Sequence, residues 1–224
     1  MRYYESFFNI NNDKELLNDS VYAFNKYDGQ NFAVKYNARK KVFDCFGSKT
    51  QMVDETSEQF GKAVVIFKEK IQDELLRLIK KNTGKHKLFE GIDEITFYFE
   101  YAGENSFCGR HDENDEMHLI LIDIWLKRKG YVEPLDFIDF TNNSSIESAE
   151  VIYIGKLNKE FIYSINNNVW FEEGCKYPTV KEGVVCKRNH IKKGQRLPKV
   201  KVKTNWWLNK VKENYPDNWE ELIW

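Results

Sequence analysis

Lys26-Tyr27-Asp28-Gly29 lies between two segments whose side chains alternate. Upstream, Val21 and Ala23 alternate with Tyr22 and Phe24; downstream, Phe32, Val34 and Tyr36 recur with period two. That period marks β-strands, so the lysine is expected at a strand-to-strand turn, held by backbone on both sides and facing a pocket. An Asp-Gly pair also suits an ordinary surface turn. Reading Lys26 as a reactive group therefore depends on what the rest of the chain supplies.

Working outward, Lys41 to Gly47 reads as a further strand, with Val42, Asp44 and Phe46 on one face and Phe43 and Cys45 on the other. From Asp54 to Lys81 the period becomes helical: Phe60, Val64, Phe67, Ile71, Leu75 and Leu78 form one stripe. Thr56 and Gln59 have the spacing of a capping box, and Asn82-Thr83-Gly84 supplies the stop. Alternation returns from Glu94 to Tyr101 and places Glu100 at the end of an aromatic strand. His118 to Lys127 is an apolar run interrupted by Asp123, the pattern of a strand buried on both faces. An acid there needs partners. Residues 134 to 140 read as a helix opened by Pro134, 149 to 154 as a strand, 158 to 166 as a helix, and 180 to 187 and 199 to 204 as strands. A Trp206-Trp207 helix and a short tail, residues 205 to 224, follow. The fold class is α+β, mostly antiparallel sheets with flanking helices, in one domain spanning residues 1 to 224.

With 224 residues, 42% hydrophobic and 15% aromatic, the chain has material for one sizeable core. No apolar run approaches the roughly 18 residues of a membrane span, and the N-terminus lacks the apolar stretch of a signal peptide. A soluble, cytoplasmic protein with no membrane partner is expected. Cys45, Cys108, Cys175 and Cys186 form no C-x-x-C pair and read as free thiols. Cys108, His111 and His118 would make a metal site only with a fourth ligand. The net charge of −1 hides an asymmetry: twelve Lys and Arg against two acids from Lys176 to Asn214 give +10 there and leave −11 elsewhere. Such a basic segment points to an anionic partner, nucleotide or nucleic acid, although the Gly-containing stretch with Lys192, Lys193 and Arg196 also suits a solvated loop.

Five features fall in order: Lys26-Tyr27-Asp28-Gly29, the strand ending Phe99-Glu100-Tyr101-Ala102-Gly103, Leu121-Ile122-Asp123-Ile124, Glu182-Gly183-Val184-Val185-Cys186-Lys187, and Lys201-Val202-Lys203. In this order they resemble the motifs of the covalent nucleotidyltransferase superfamily of polynucleotide ligases and mRNA capping enzymes, whose ligase domain is ATP-grasp-like. Gln30-Asn31-Phe32 and Phe99 to Ser106 are most like phage-type ATP-dependent RNA ligases. Only 21 residues follow Lys203, too few for the OB-fold domain of DNA ligases and capping enzymes. The resemblance implies ATP with Mg²⁺ or Mn²⁺ as cofactors and a lysyl-AMP intermediate on Lys26. It also implies sealing of RNA 5′-phosphate and 3′-hydroxyl ends, as in RNA repair. A virus-encoded protein acting in host cytoplasm, or one whose partner replaces the second domain, would fit. A DNA ligase core, a capping guanylyltransferase without its OB domain, and a non-catalytic RNA-end-binding module are the rival readings.

Each residue has a chemical reason to be there. A lysine amine attacks phosphorus only when neutral, and its ordinary pKa of about 10.4 must fall for that. Lys201 and Lys203, one face of a strand with Lys199 by period two, would supply the positive charge that lowers it and neutralise phosphate oxygens. Glu182 and Asp28 suit a hard divalent ion, and Glu100 suits ribose hydroxyls. Two positions depart from the family: Ile122 where an aromatic would stack on adenine, and Lys49 where an arginine would grip phosphate bidentately. By strict alternation Lys187 faces away from Glu182, so its phosphate role needs a bulge between them or rests on the resemblance.

Overall fold

The computed structural model describes residues 2–104, 115–142, 144–189 and 197–223. Its strands, in chain order, are β1 (Ser20–Lys26), β2 (Gln30–Asn37), β3 (Val42–Ser48), β4 (Met52–Val53), β5 (Glu94–Ala102), β6 (His118–Leu126), β7 (Gly130–Tyr131), β8 (Val151–Lys156), β9 (Gly183–Arg188) and β10 (Lys199–Lys203). The helices are α1 (Gly61–Ile66), α2 (Gln72–Lys81), α3 (Pro134–Thr141), α4 (Lys159–Asn166), α5 (Asn205–Asn214) and α6 (Trp219–Leu222). They form two units, one of Met1–Tyr4 with Gly29–Ser148 and one of Glu5–Asp28 with Ala149–Trp224. The fold is α+β with antiparallel sheets, as the alternation predicts. Among the described residues no helix is long and apolar enough to cross a membrane.

In the first unit the sheet runs β4-β3-β2-β5-β6-β7. Its central strand β5 is buried on both faces except at Glu94 and Glu100. Helical periodicity makes the next layer: Phe60, Val64, Phe67, Ile71, Leu75 and Leu78 are all buried, as their stripe predicts. Phe67 sets its ring edge-on to Phe99, and Phe60 stacks on Phe32, so the odd-numbered residues of β5 face these helices. A π-helical turn, Phe67–Ile71, joins α1 to α2. The predicted start at Asp54 and its capping box do not form. The Asp54 carboxylate instead accepts hydrogen bonds from the Thr56 backbone and hydroxyl, which closes a local turn, and such side-chain turns compete with helix. Gly61 opens α1 because a Cβ there would lie 2.4 Å from the Glu55 carbonyl oxygen.

The second unit has the sheet β10-β9-β1-β8. One face holds Val21, Ala23, Val184, Cys186, Val200 and Val202 in a common core with Phe161 and Ile165 of α4. Asn158 caps α4 by accepting from the Phe161 N–H, and Thr204 caps α5 by accepting from Trp207 N–H. The expected strand-to-strand turn at Lys26 is not a hairpin. β1 pairs with β8 and β9, whereas β2 pairs with β3 and β5. Lys26-Tyr27-Asp28-Gly29 thus carries the chain from one sheet to another.

Candidate active site

The site in the second unit follows from strand register. Tyr22, Phe24 and Lys26 of β1 lie opposite Lys187, Val185 and Gly183 of β9, and those three lie opposite Lys199, Lys201 and Lys203 of β10. Cross-strand partners share a face, so Lys26, Lys187, Lys199, Lys201 and Lys203 occupy the face opposite the apolar core. The intervening valines enter that core, so the alternating KVKVK of β10 both packs the sheet and builds the cationic row.

Glu182 joins the row because alternation breaks at Gly183. The Gly183 φ is +154°, and a Cβ there would lie 2.1 Å from the Val202 carbonyl oxygen. Only glycine accepts that backbone and that approach. The break turns Glu182 onto the face of Lys187, correcting the expectation that the two point apart. The Thr204 N–H also donates to the Glu182 carbonyl at 2.9 Å, fixing the residue's backbone.

Lys26 Nζ lies 2.9 Å from both Glu182 carboxylate oxygens, and Lys203 Nζ 3.2 Å from Oε1. The two ammonium groups therefore stand within about 6 Å of each other across one carboxylate. Glu182 and Lys203 side chains are 3% and 4% exposed; that of Lys26 is 21% exposed, the one of the three most open to solvent. Aromatic rings line the same row. Lys187 Nζ is 4.7 Å from the Phe24 centroid, Lys199 and Lys201 are 5.6 and 5.8 Å from Phe7, and Lys203 is 3.7 Å from Trp207. Cations over such faces are held electrostatically by the ring quadrupole. Asp28 is two residues beyond β1, and the Tyr27 hydroxyl accepts from the Glu150 N–H at 3.4 Å.

The first unit carries the other candidates. Glu100 on β5 lies opposite Asn31 and Ile120. Between β5 and β6 the register shifts: Leu121 pairs with Phe99 and Asp123 with Tyr98, leaving Ile122 as the extra residue of a bulge. Asp123 shares the face of Tyr98, so the bulge aims Ile122 and Asp123 to the side of Glu100, away from the helices. Buried Asp123 accepts a 2.8 Å hydrogen bond from the Tyr4 hydroxyl, the partner its burial demands. Burial, then the neighbouring Asp123 charge, pushes the Tyr4 hydroxyl well above its usual pKa. Gly29 packs here too: a Cβ would lie 2.6 Å from the Tyr101 carbonyl oxygen and 2.9 Å from Glu100 Cγ. Lys49, just past β3, is exposed.

No family model and no curated protein matches this sequence. Solved structures do match. Naegleria gruberi RNA ligase with PPi superposes with a TM-score of 0.67 at 14% identity, covering 95% of this chain and 58% of that one. A lysine-to-alanine mutant of that ligase with ATP and Mn gives 0.64 at 13% identity, over 93% and 58%. A glutamate-to-alanine mutant with AMP and Mn gives 0.64 at 14%, over 94% and 58%. The chain has the fold of these RNA ligases. It spans 58% of their length.

On that ligase fold, the register brings together Lys26, Glu182, Lys187, Lys201 and Lys203 in the second unit. Glu100, Ile122 and Lys49 belong to the first. Among the described residues no group of three His, Cys, Asp or Glu side chains is placed to hold a metal ion. Mg²⁺ and Mn²⁺ bind through one or two carboxylates plus phosphate oxygens, so Glu182 and Asp28 fit an ion that arrives with nucleotide phosphates. His118 places Nδ1 2.8 Å from Glu147. Cys108, His111, Lys192, Lys193 and Arg196 lie outside the described residues. Sequence reading missed the lysines' aromatic partners. Period two gives Phe24 the face of Lys26, a usable signal, but nothing local links Phe7 or Trp207 to a lysine.

Proposed function

We propose that this chain is an ATP-dependent RNA ligase, or the adenylyltransferase part of one, with Lys26 as nucleophile. The observation that carries the reading is the Lys26–Glu182–Lys203 arrangement, three side chains meeting within 3.2 Å contacts on the cationic face of a ligase-fold sheet. Glu182 orients the Lys26 nitrogen. Lys203 brings a second ammonium within about 6 Å of the Lys26 nitrogen, and the exposed edge of Lys26 lets its proton leave to water. The amine then attacks the α-phosphorus of ATP: an N–P bond forms, the bond to the bridging oxygen breaks, and pyrophosphate departs. Lys187, Lys201 and Lys203 meet the negative charge on the phosphate oxygens, the electrostatic role that dominates phosphoryl transfer. A divalent ion bound by Glu182 and Asp28 would add charge neutralisation at the pyrophosphate. Glu100 is the candidate acceptor for ribose hydroxyls. An RNA 5′-phosphate then takes AMP from Lys26, and a 3′-hydroxyl displaces AMP to seal the strand.

The test is incubation with α-labelled ATP and Mg²⁺ or Mn²⁺, followed by a denaturing gel and mass spectrometry. One added AMP is expected, absent in Lys26→Ala. Label that survives in that variant, or that appears only with GTP, overturns the assignment.

A further inference from the structure

Trp207 is 3% exposed and sits on the first turn of α5, four residues beyond the end of β10. Its ring centroid is 3.7 Å from Lys203 Nζ, the shortest of the cation–ring distances along the lysine row. Lys203 thus stands between an indole and the Glu182 carboxylate, 3.2 Å away. The backbone fixes the indole: Thr204 accepts from the Trp207 N–H and donates its hydroxyl to the Lys181 carbonyl at 2.7 Å. Among the described residues the buried indole Nε1 has no acceptor. A buried donor left without a partner costs stability, and phenylalanine would fill core space without that cost. What tryptophan alone offers here is the strongest π-face for a cation.

We infer that Trp207 is a positioning residue for nucleotidyl transfer: its indole clamps the Lys203 ammonium against Glu182, holding the charge where the phosphate is met. The inference rests on the ligase reading above. Lys203 is faced by Glu182 before β9, Lys26 on β1, Lys201 on its own strand and Trp207 on α5. Removing the ring withdraws a stabiliser of the cation from a group that already has like charges beside it. The ammonium is then held less firmly against Glu182, and adenylylation slows.

The test measures the rate of lysyl-AMP formation against ATP concentration in wild type, Trp207→Phe and Trp207→Leu, with Trp206→Leu as control and thermal unfolding throughout. Trp206 is half-buried and packs on Trp170 and Phe171. Trp207→Leu should slow adenylylation at saturating ATP about 30-fold, the rate equivalent of a buried cation–π contact of about 2 kcal/mol. Trp207→Phe keeps a weaker ring and loses the orphaned N–H. It should melt at or above the wild-type temperature yet label several-fold more slowly, a dissociation that simple packing does not produce. Trp206→Leu should label like wild type. Unchanged rates in both Trp207 variants, or losses that only follow the folded fraction, overturn the inference alone. A wild type that forms no lysyl-AMP overturns the ligase reading and this inference with it.

Discussion

Glu182→Gln removes a charge that Lys26 and Lys203 share while keeping size and hydrogen-bonding capacity. With the carboxylate gone, two ammonium groups about 6 Å apart repel by about 3 kcal/mol at an effective dielectric constant near 20. Breaking a buried ion pair from one side costs about 3–5 kcal/mol. The 21% exposure of Lys26 puts this case at the low end, about 3 kcal/mol. For a chain of this size that lowers the melting temperature by roughly 6–12 °C, and adenylylation should fall by at least about 100-fold because Lys26 loses its orienting partner. Thermal unfolding and ATP labelling of one preparation read both quantities. Adding Lys203→Met to Glu182→Gln removes the repulsion, so the double variant should recover part of the stability but none of the labelling, a non-additivity that double-mutant cycles resolve. A single variant that melts within about 2 °C of wild type and labels at its rate would refute the charge arrangement.

Two further outcomes follow from close contacts and burial. Gly29→Ala places a Cβ against the Tyr101 carbonyl and Glu100 Cγ; urea unfolding should show a loss of about 1–3 kcal/mol and ATP labelling should weaken, whereas wild-type stability would mean that the strand yields freely. Tyr4, Tyr98 and Tyr131 have hydroxyls that burial pushes above their usual pKa. Their folded values exceed the unfolded value of about 10, so their stabilisation is complete below pH 10 and is lost as pH rises above it, by about 1.4 kcal/mol per pH unit for each tyrosine. Tyr4→Phe should flatten that alkaline decline, measured as urea midpoints at pH 8 and pH 11; an unchanged slope would remove Tyr4 from the account.

Local periodicity made much of this molecule legible. The stripe from Phe60 to Leu78 and the two-residue alternations are imposed by backbone geometry, which repeats within a few residues; the stripe is helical from Gly61, with a π-helical turn inside it, and not from Asp54. The same regularity put Lys199, Lys201 and Lys203 on one face with no knowledge of what lies opposite. The five ordered motifs pointed to a fold that the structural match at 14% identity bears out.

Partnership was not legible, because it is set by segments far apart in the chain. β1 finds its neighbours at Val151–Lys156 and Gly183–Arg188, so Lys26 ends a sheet strand and is not the tip of a hairpin. Alternation put Glu182 on the wrong face because the positive φ of Gly183 is forced by β10, whose carbonyl at Val202 leaves no room for a Cβ. Which ring stands over which lysine, and that Tyr4 answers the buried charge of Asp123, depend on contacts between residues as far apart in the chain as Phe7 and Lys201. The sequence alone therefore determined the elements, the lysine face and the fold; the tertiary structure decided the pairings, because register and burial arise from non-local contacts that no local period encodes.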